Sequence, residues 1–121
     1  MRDFRELAVW AKAHQLALSV YTTTAMFPRQ EQYGLASQLQ RSGSSIPTNI
    51  AEGCGTDGNV EFARFLEISM RSATELEYQL VLVRDLGYID SDDYGPLSAK
   101  TSEVKRMLAS LIRKVRPNRR S

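Results

Sequence analysis

Residues 53–58 read GCGTDG, with glycines at 53, 55 and 58. That is the G-x-G-x-x-G spacing of a dinucleotide-binding turn, and Glu75 and Glu77 follow roughly 20 residues on, where such a site keeps its ribose-binding acid. The chemistry also needs a strand before the glycines, inside a βαβ unit that lays the pyrophosphate on a helix N-terminus. What precedes here has a helical pattern. Gly53 and Gly58 have P-loop spacing as well, but Asn59 and Val60 stand where Lys and Ser/Thr are required. The expectation is a helix–helix turn.

His14 is the only histidine and Cys54 the only cysteine. One of each does not make a zinc site, and Cys54 has no second histidine or resolving cysteine to activate it. A hydrogen-bonded, buried or interfacial His14 and a passive Cys54 thiol are expected. Glu75 and Glu77 are two positions apart, so on a helix they diverge by about 200° and cannot face each other as an acid–base pair. Glu75 is expected to make a polar contact on the Ser72 and Gln79 side. No enzyme activity, metal or cofactor is predicted.

The C-terminus offers different chemistry. Residues 113–121, RKVRPNRRS, contain Arg113, Lys114, Arg116, Arg119 and Arg120 and no acid. The formal net charge of +2 conceals this asymmetry, because the rest of the chain carries eleven basic against fourteen acidic residues. Such a cluster can bind phosphates through salt-dependent contacts. It can equally complement a helix C-terminus and remain solvated. Arg64 and Arg71 on the third helix could extend a phosphate-facing surface, whereas Glu67 between them, favourably spaced to pair with Arg71, argues for an ordinary solvated face.

A third feature is a proline inside a helical pattern, SIPTNIAEG at residues 45–53. A mid-helix proline removes an amide donor and displaces the carbonyl four residues earlier, here that of Gly43. Ser42, Ser44 and Ser45 surround that carbonyl and can bond freed groups. The expectation is a continuous second helix kinked at Pro47, with Asn49 on its apolar stripe tying the bend to a neighbour. A ligand-binding role for Asn49 and Glu52 is the alternative.

These groups are positioned by four amphipathic segments. The first spans residues 4–26, with Asp3 and Glu6 expected to form a capping box. It carries two apolar ladders, one of Leu7, Trp10, His14, Leu18 and Tyr21, the other of Val9, Ala13, Leu16 and Val20. Pro28 is expected to end it. The second segment places Leu35, Leu39, Ser42, Ile46 and Asn49 on one stripe. The third, residues 60–86, is expected to be capped by Asn59, has Phe62, Leu66, Ser69, Ala73, Leu76, Leu80 and Val83 in register, and ends at Gly87. Its C-terminal half is apolar almost all round, so it lies at the bundle centre or meets another subunit. The fourth repeats Leu97, Thr101, Val104, Leu108, Leu111 and Val115, with Pro96 expected at its first helical position. No segment alternates with a strand's period of two. The predicted fold class is all-α, an antiparallel up-down-up-down four-helix bundle at residues 1–116 with a basic tail at 117–121.

The 121 residues suit a single domain. No apolar run approaches the ~20 residues that cross a bilayer, and the N-terminus MRDFRELAVW is charged from its second residue, without the apolar stretch of a signal peptide. With one cysteine, a reducing, cytoplasmic setting is the expectation.

The segments FRELAVWAKAHQLAL, YGLASQLQRSGSSIPTNIAEG, EFARFLEISMRSATELEYQL and LGYI resemble the four-helix-bundle family named after the intervening sequences of bacterial 23S ribosomal RNA. That family includes the accessory variability determinant proteins of diversity-generating retroelements. The resemblance covers residues 4–116. It implies a bundle assembled into a homopentameric ring with a central channel, and its retroelement relatives use a basic surface to bind nucleic acid and a reverse transcriptase. One departure is local: the loop after AEG in such proteins often carries an arginine, where this chain has Thr56 followed by Asp57. Two functions follow as expectations. One is a non-enzymatic oligomeric accessory protein that binds RNA or DNA phosphates through Arg113, Lys114, Arg116, Arg119 and Arg120 without sequence readout. The other is a scaffold whose ring engages a protein partner such as a polymerase.

Overall fold

The computed structural model describes residues 2–116. Four helices make up the body: α1 (Ala8–Thr24), α2 (Leu35–Cys54), α3 (Asn59–Asp85) and α4 (Ser91–Val115). Contacts run α1 to α2, α2 to α3, α3 to α4 and α4 back to α1, with the largest interface between α2 and α3. Short connections between successive helices make neighbours antiparallel, the arrangement of an up-down-up-down bundle. No strand occurs among the described residues.

Each helix sends one stripe inward. Leu16 and Val20 of α1, Leu39, Ile46 and Ile50 of α2, Phe62, Leu66, Leu76 and Leu80 of α3, and Val104 and Leu108 of α4 are all buried. Burying a Leu, Ile or Phe side chain contributes about 1.5–3 kcal/mol relative to leaving it exposed. In α1 the Val9, Ala13, Leu16, Val20 ladder is the one that enters the core. Of the other ladder, Trp10 is half-buried and packs against the core, while His14, Leu18 and Tyr21 are exposed.

Helix ends differ from expectation in instructive ways. The first segment is not one helix from residue 4. Phe4–Glu6 form a single 3-10 turn, Leu7 is extended, and α1 starts at Ala8. The Asp3 side chain accepts from the Arg5 amide at 3.0 Å, which caps the short turn in place of a capping box. The same strap is pinned across the end of the bundle. The Arg2 amide donates to the Cys54 carbonyl at 2.9 Å, and its guanidinium donates to Asn59 Oδ1 at 2.8 Å while lying over the Phe62 ring. Asn59 therefore anchors Arg2 instead of capping α3, whose cap position is Gly58 at φ 81°. At its other end α1 stops at Thr24, before Pro28 acts, and Gln32 Nε2 donates to the Thr24 and Phe27 carbonyls that the ending helix leaves open.

Gly87 behaves as expected. The Tyr88 amide reaches the Val83 carbonyl and the Gly87 amide the Arg84 carbonyl, a Schellman stop with Gly87 at φ 82°. Pro96 does not open α4. Asp90 caps that helix by accepting from the Asp93 amide at 2.9 Å, so Pro96 falls in the second turn. The bond it forfeits would go to Asp92, an exposed residue whose carbonyl can reach water.

Candidate nucleic-acid interface

The last two turns of α4 carry the basic cluster. Arg113, Lys114 and Arg116 are exposed, and cations are favoured there by the helix dipole. The three do not share one surface. Lys114 turns toward α1 and lines a groove with Leu7, Ala8, Val9 and Met107. Arg116 forms an ion pair with Glu67 of α3. Arg113 stands one turn before Arg116 and makes no ion pair among the described residues. Arg119 and Arg120 lie outside the described residues.

The α3 face also differs from its sequence expectation. Glu67 pairs across the helices with Arg116 and not with Arg71. Arg64 is held by Glu61, with Nε to Oε1 at 2.9 Å, and lies over the Phe65 ring. The Arg64 guanidinium holds the Glu61 carboxyl below its ordinary pKa through a hydrogen bond and Coulomb attraction. Glu77 pairs with Lys105 Nζ at 2.9 Å, which settles its role, while Glu75 stays exposed and leaves Ser72 and Gln79 to other partners.

Those partners lie in the proline-containing helix. α2 runs unbroken through Pro47, which is buried. Ser42 Oγ donates to Gln79 Oε1 at 2.7 Å, Ser45 Oγ lies 2.8 Å from Ser72 Oγ, and Ser69 Oγ donates to the Ile46 carbonyl at 2.8 Å. Asn49 is half-buried and donates from Nδ2 to both the carbonyl and Oγ of Ser45, each at 2.9 Å. It thus bonds its own helix and reaches α3 only through Ser45. The hydroxyls of Ser42 and Ser45 serve the α2–α3 seam, that of Ser44 donates to the Arg41 carbonyl of its own helix, and among the described residues no side chain bonds the Gly43 carbonyl. The signal for this seam was present in Ser69, Ser72 and Gln79, which recur along one side of the third helix.

Glu52 is exposed and borders a groove of about 450 Å³ between α1 and α2. Trp10, His14, Leu18, Tyr21 and Pro47 line it. His14 is exposed and stacks parallel on Trp10, ring centres 5.0 Å apart, so within one chain it is not buried and makes no hydrogen bond among the described residues, which leaves the interfacial alternative open. Cys54 is buried, and burial raises its thiol pKa despite the opposing charge of Arg2. The glycine segment is a helix–helix turn. Gly53 still belongs to α2, where a Cβ would stand 2.9 Å from Phe65 Cβ, and this close approach accounts for the glycine. Among the described residues no group of three or more His, Cys, Asp or Glu could hold a metal, and no helix is long and apolar enough to cross a membrane.

This bundle, with its proline-containing second helix and long third helix, matches the family model of the 23S rRNA-intervening sequence protein over residues 5–110. The chain belongs to that family. Its fold is similar to the crystal structure of a protein of unknown function from the S23 ribosomal protein family of Bacteroides thetaiotaomicron VPI-5482. The two share 26% identity and a TM-score of 0.81 over 87% of this chain and 95% of that one. No functionally curated protein matches the chain.

Proposed function

We propose that the protein is a non-enzymatic, homo-oligomeric accessory protein that binds RNA or DNA through phosphate contacts, without reading base sequence. The observation that carries this reading is the exposed C-terminal end of α4. Arg113 and Lys114 stand there without a carboxylate partner among the described residues, and the chain continues into Arg119 and Arg120. Lys and Arg at such a place neutralise phosphates and release counterions, which gives affinity that falls steeply with salt. The family resemblance implies a pentamer, and in a ring the basic ends add by avidity. Self-association is supported by the apolar groove between α1 and α2, where Leu18 is 54% and Tyr21 48% exposed.

The same groove favours a second reading, a scaffold that docks a protein partner there. Fluorescence anisotropy separates the two. The full chain is compared with a variant in which Arg113, Lys114, Arg116, Arg119 and Arg120 are all changed to Gln. Micromolar binding of labelled RNA or DNA that this variant loses supports the first reading. No binding at low salt sinks it and leaves the scaffold.

A further inference from the structure

We infer that the nucleic-acid phosphates seat on a two-helix face made by Arg71 of α3 with Arg106 and Arg113 of α4, an inference that rests on the reading proposed above. Two ion pairs set the register of these helices, Glu77 with Lys105 and Glu67 with Arg116. The acids are ten positions apart on α3 and the bases eleven apart on α4, so the antiparallel helices run in step for about 15 Å at ~1.5 Å per residue. That register puts Arg113 level with positions 69–70 of α3 and Arg106 level with 76–77. Arg71 falls between them. On α4, Arg106, Arg113 and Arg116 recur at intervals of seven and three, which keeps them on one side of the helix.

The charge on this face is decided by pairing. Glu67 and Glu77 are each paired with an α4 cation, and Glu75, one turn beyond Arg71 on α3, is the exposed carboxylate of this face without an ion-pair partner among the described residues. Arg71, Arg106 and Arg113 are all exposed and have no ion-pair partner among the described residues. Glu67 therefore does not cancel Arg71, as sequence spacing suggests. It anchors Arg116 and so fixes where the chain leaves α4, beside Arg71. Arg106 and Arg113 are seven residues apart, about 10 Å along α4, a length that covers three phosphates of one strand at ~3.4 Å axial spacing. Guanidinium groups suit this ligand because their fork of donors matches phosphate oxygens.

The test uses the full chain and labelled RNA and DNA duplexes over a salt series. Arg71→Ala, Arg106→Ala and Arg113→Ala are combined in one variant. Arg29→Ala, Arg41→Ala and Lys100→Ala are combined in another, which removes the same charge from exposed residues elsewhere that have no ion-pair partner among the described residues. The first variant is expected to lose at least about ten-fold in affinity and to flatten the salt slope by about 0.9 for each phosphate contact removed. The second is expected to stay within about two- to three-fold of the parent, the range of long-range screened charge effects. Glu67→Gln frees Arg116 and is expected to tighten binding a few-fold, roughly one added phosphate contact. Equal losses in the two triple variants would reduce the effect to net charge and overturn the assignment. An unaffected first variant, with binding lost on neutralising the C-terminal basic residues other than Arg113, would overturn this face and leave the proposed function standing. Equal, mutation-sensitive binding of poly-glutamate would assign the face to an acidic protein instead. A parent chain that binds nothing at low salt overturns both readings.

Discussion

Two glycines of α2 show how the same residue type does opposite things. Gly43 faces Val20, and an added Cβ would sit 3.5 Å from it, an ordinary contact. Gly53 meets Phe65 Cβ at 2.9 Å and Phe62 at 3.0 Å. Alanine normally improves a helix interior by about 0.5–1 kcal/mol over glycine. Gly43→Ala is therefore expected to raise the urea midpoint. Gly53→Ala is expected to lower stability by about 1–3 kcal/mol, the range for overpacking. Equal effects at the two sites would contradict the packing. Cys54 gives a second residue-scale prediction. Its thiol is buried and its pKa raised by burial, and the thiolate is the reactive form. Reaction with a thiol reagent at neutral pH is expected to be at least about ten-fold slower in the folded chain than in denaturant. Equal rates would show that the N-terminal strap does not cover it. At this scale the sequence was legible for Gly55 and Gly58 as part of a turn, but it put Gly53 and Cys54 in that turn where the structure buries both at the end of α2. It was not legible for His14 or Asn49, because helical periodicity places a residue on a side of its helix but not which apolar side faces the core.

Among the elements, α2 and α3 are joined by hydroxyl and amide groups as well as by apolar packing. Ser42 and Gln79 are both buried and bonded to each other at 2.7 Å. A double-mutant cycle with Ser42→Ala and Gln79→Ala is expected to give a coupling of about 0.5–1.5 kcal/mol, the net worth of one such bond. A coupling near zero would mean that water replaces either partner. The number and order of helices could be read from apolar spacing, because four long stripes admit few packings. Their ends could not. Asp90 and Pro96 each fit a helix start, and the side-chain bond from Asp90 to the Asp93 amide decides for Asp90. Asn59 looked like a cap, but Arg2, 57 residues away, claims its oxygen. Tertiary bonds of that length leave no local pattern.

For the whole molecule, two surfaces matter, the apolar groove between α1 and α2 and the cationic face shared by α3 and α4. The groove was half-visible in the sequence as the Trp10, His14, Leu18, Tyr21 ladder of the first helix. The cationic face was not, since it depends on which acid meets which base across helices. Leu18→Asp in the groove is expected to lower the mass measured by light scattering if copies of the chain meet there. An unchanged mass would exclude this groove as a subunit contact and turn attention to other exposed apolar side chains, such as Tyr78, which is 63% exposed. The proposed function stands on phosphate binding. Its most direct test is the affinity of the unmodified chain for a labelled RNA duplex between about 50 and 200 mM salt, plotted as log K against log salt. The expected result is a straight line whose negative slope corresponds to several phosphate contacts per site, at ~0.9 for each on a duplex. A flat line, or no binding at the lowest salt, would contradict it.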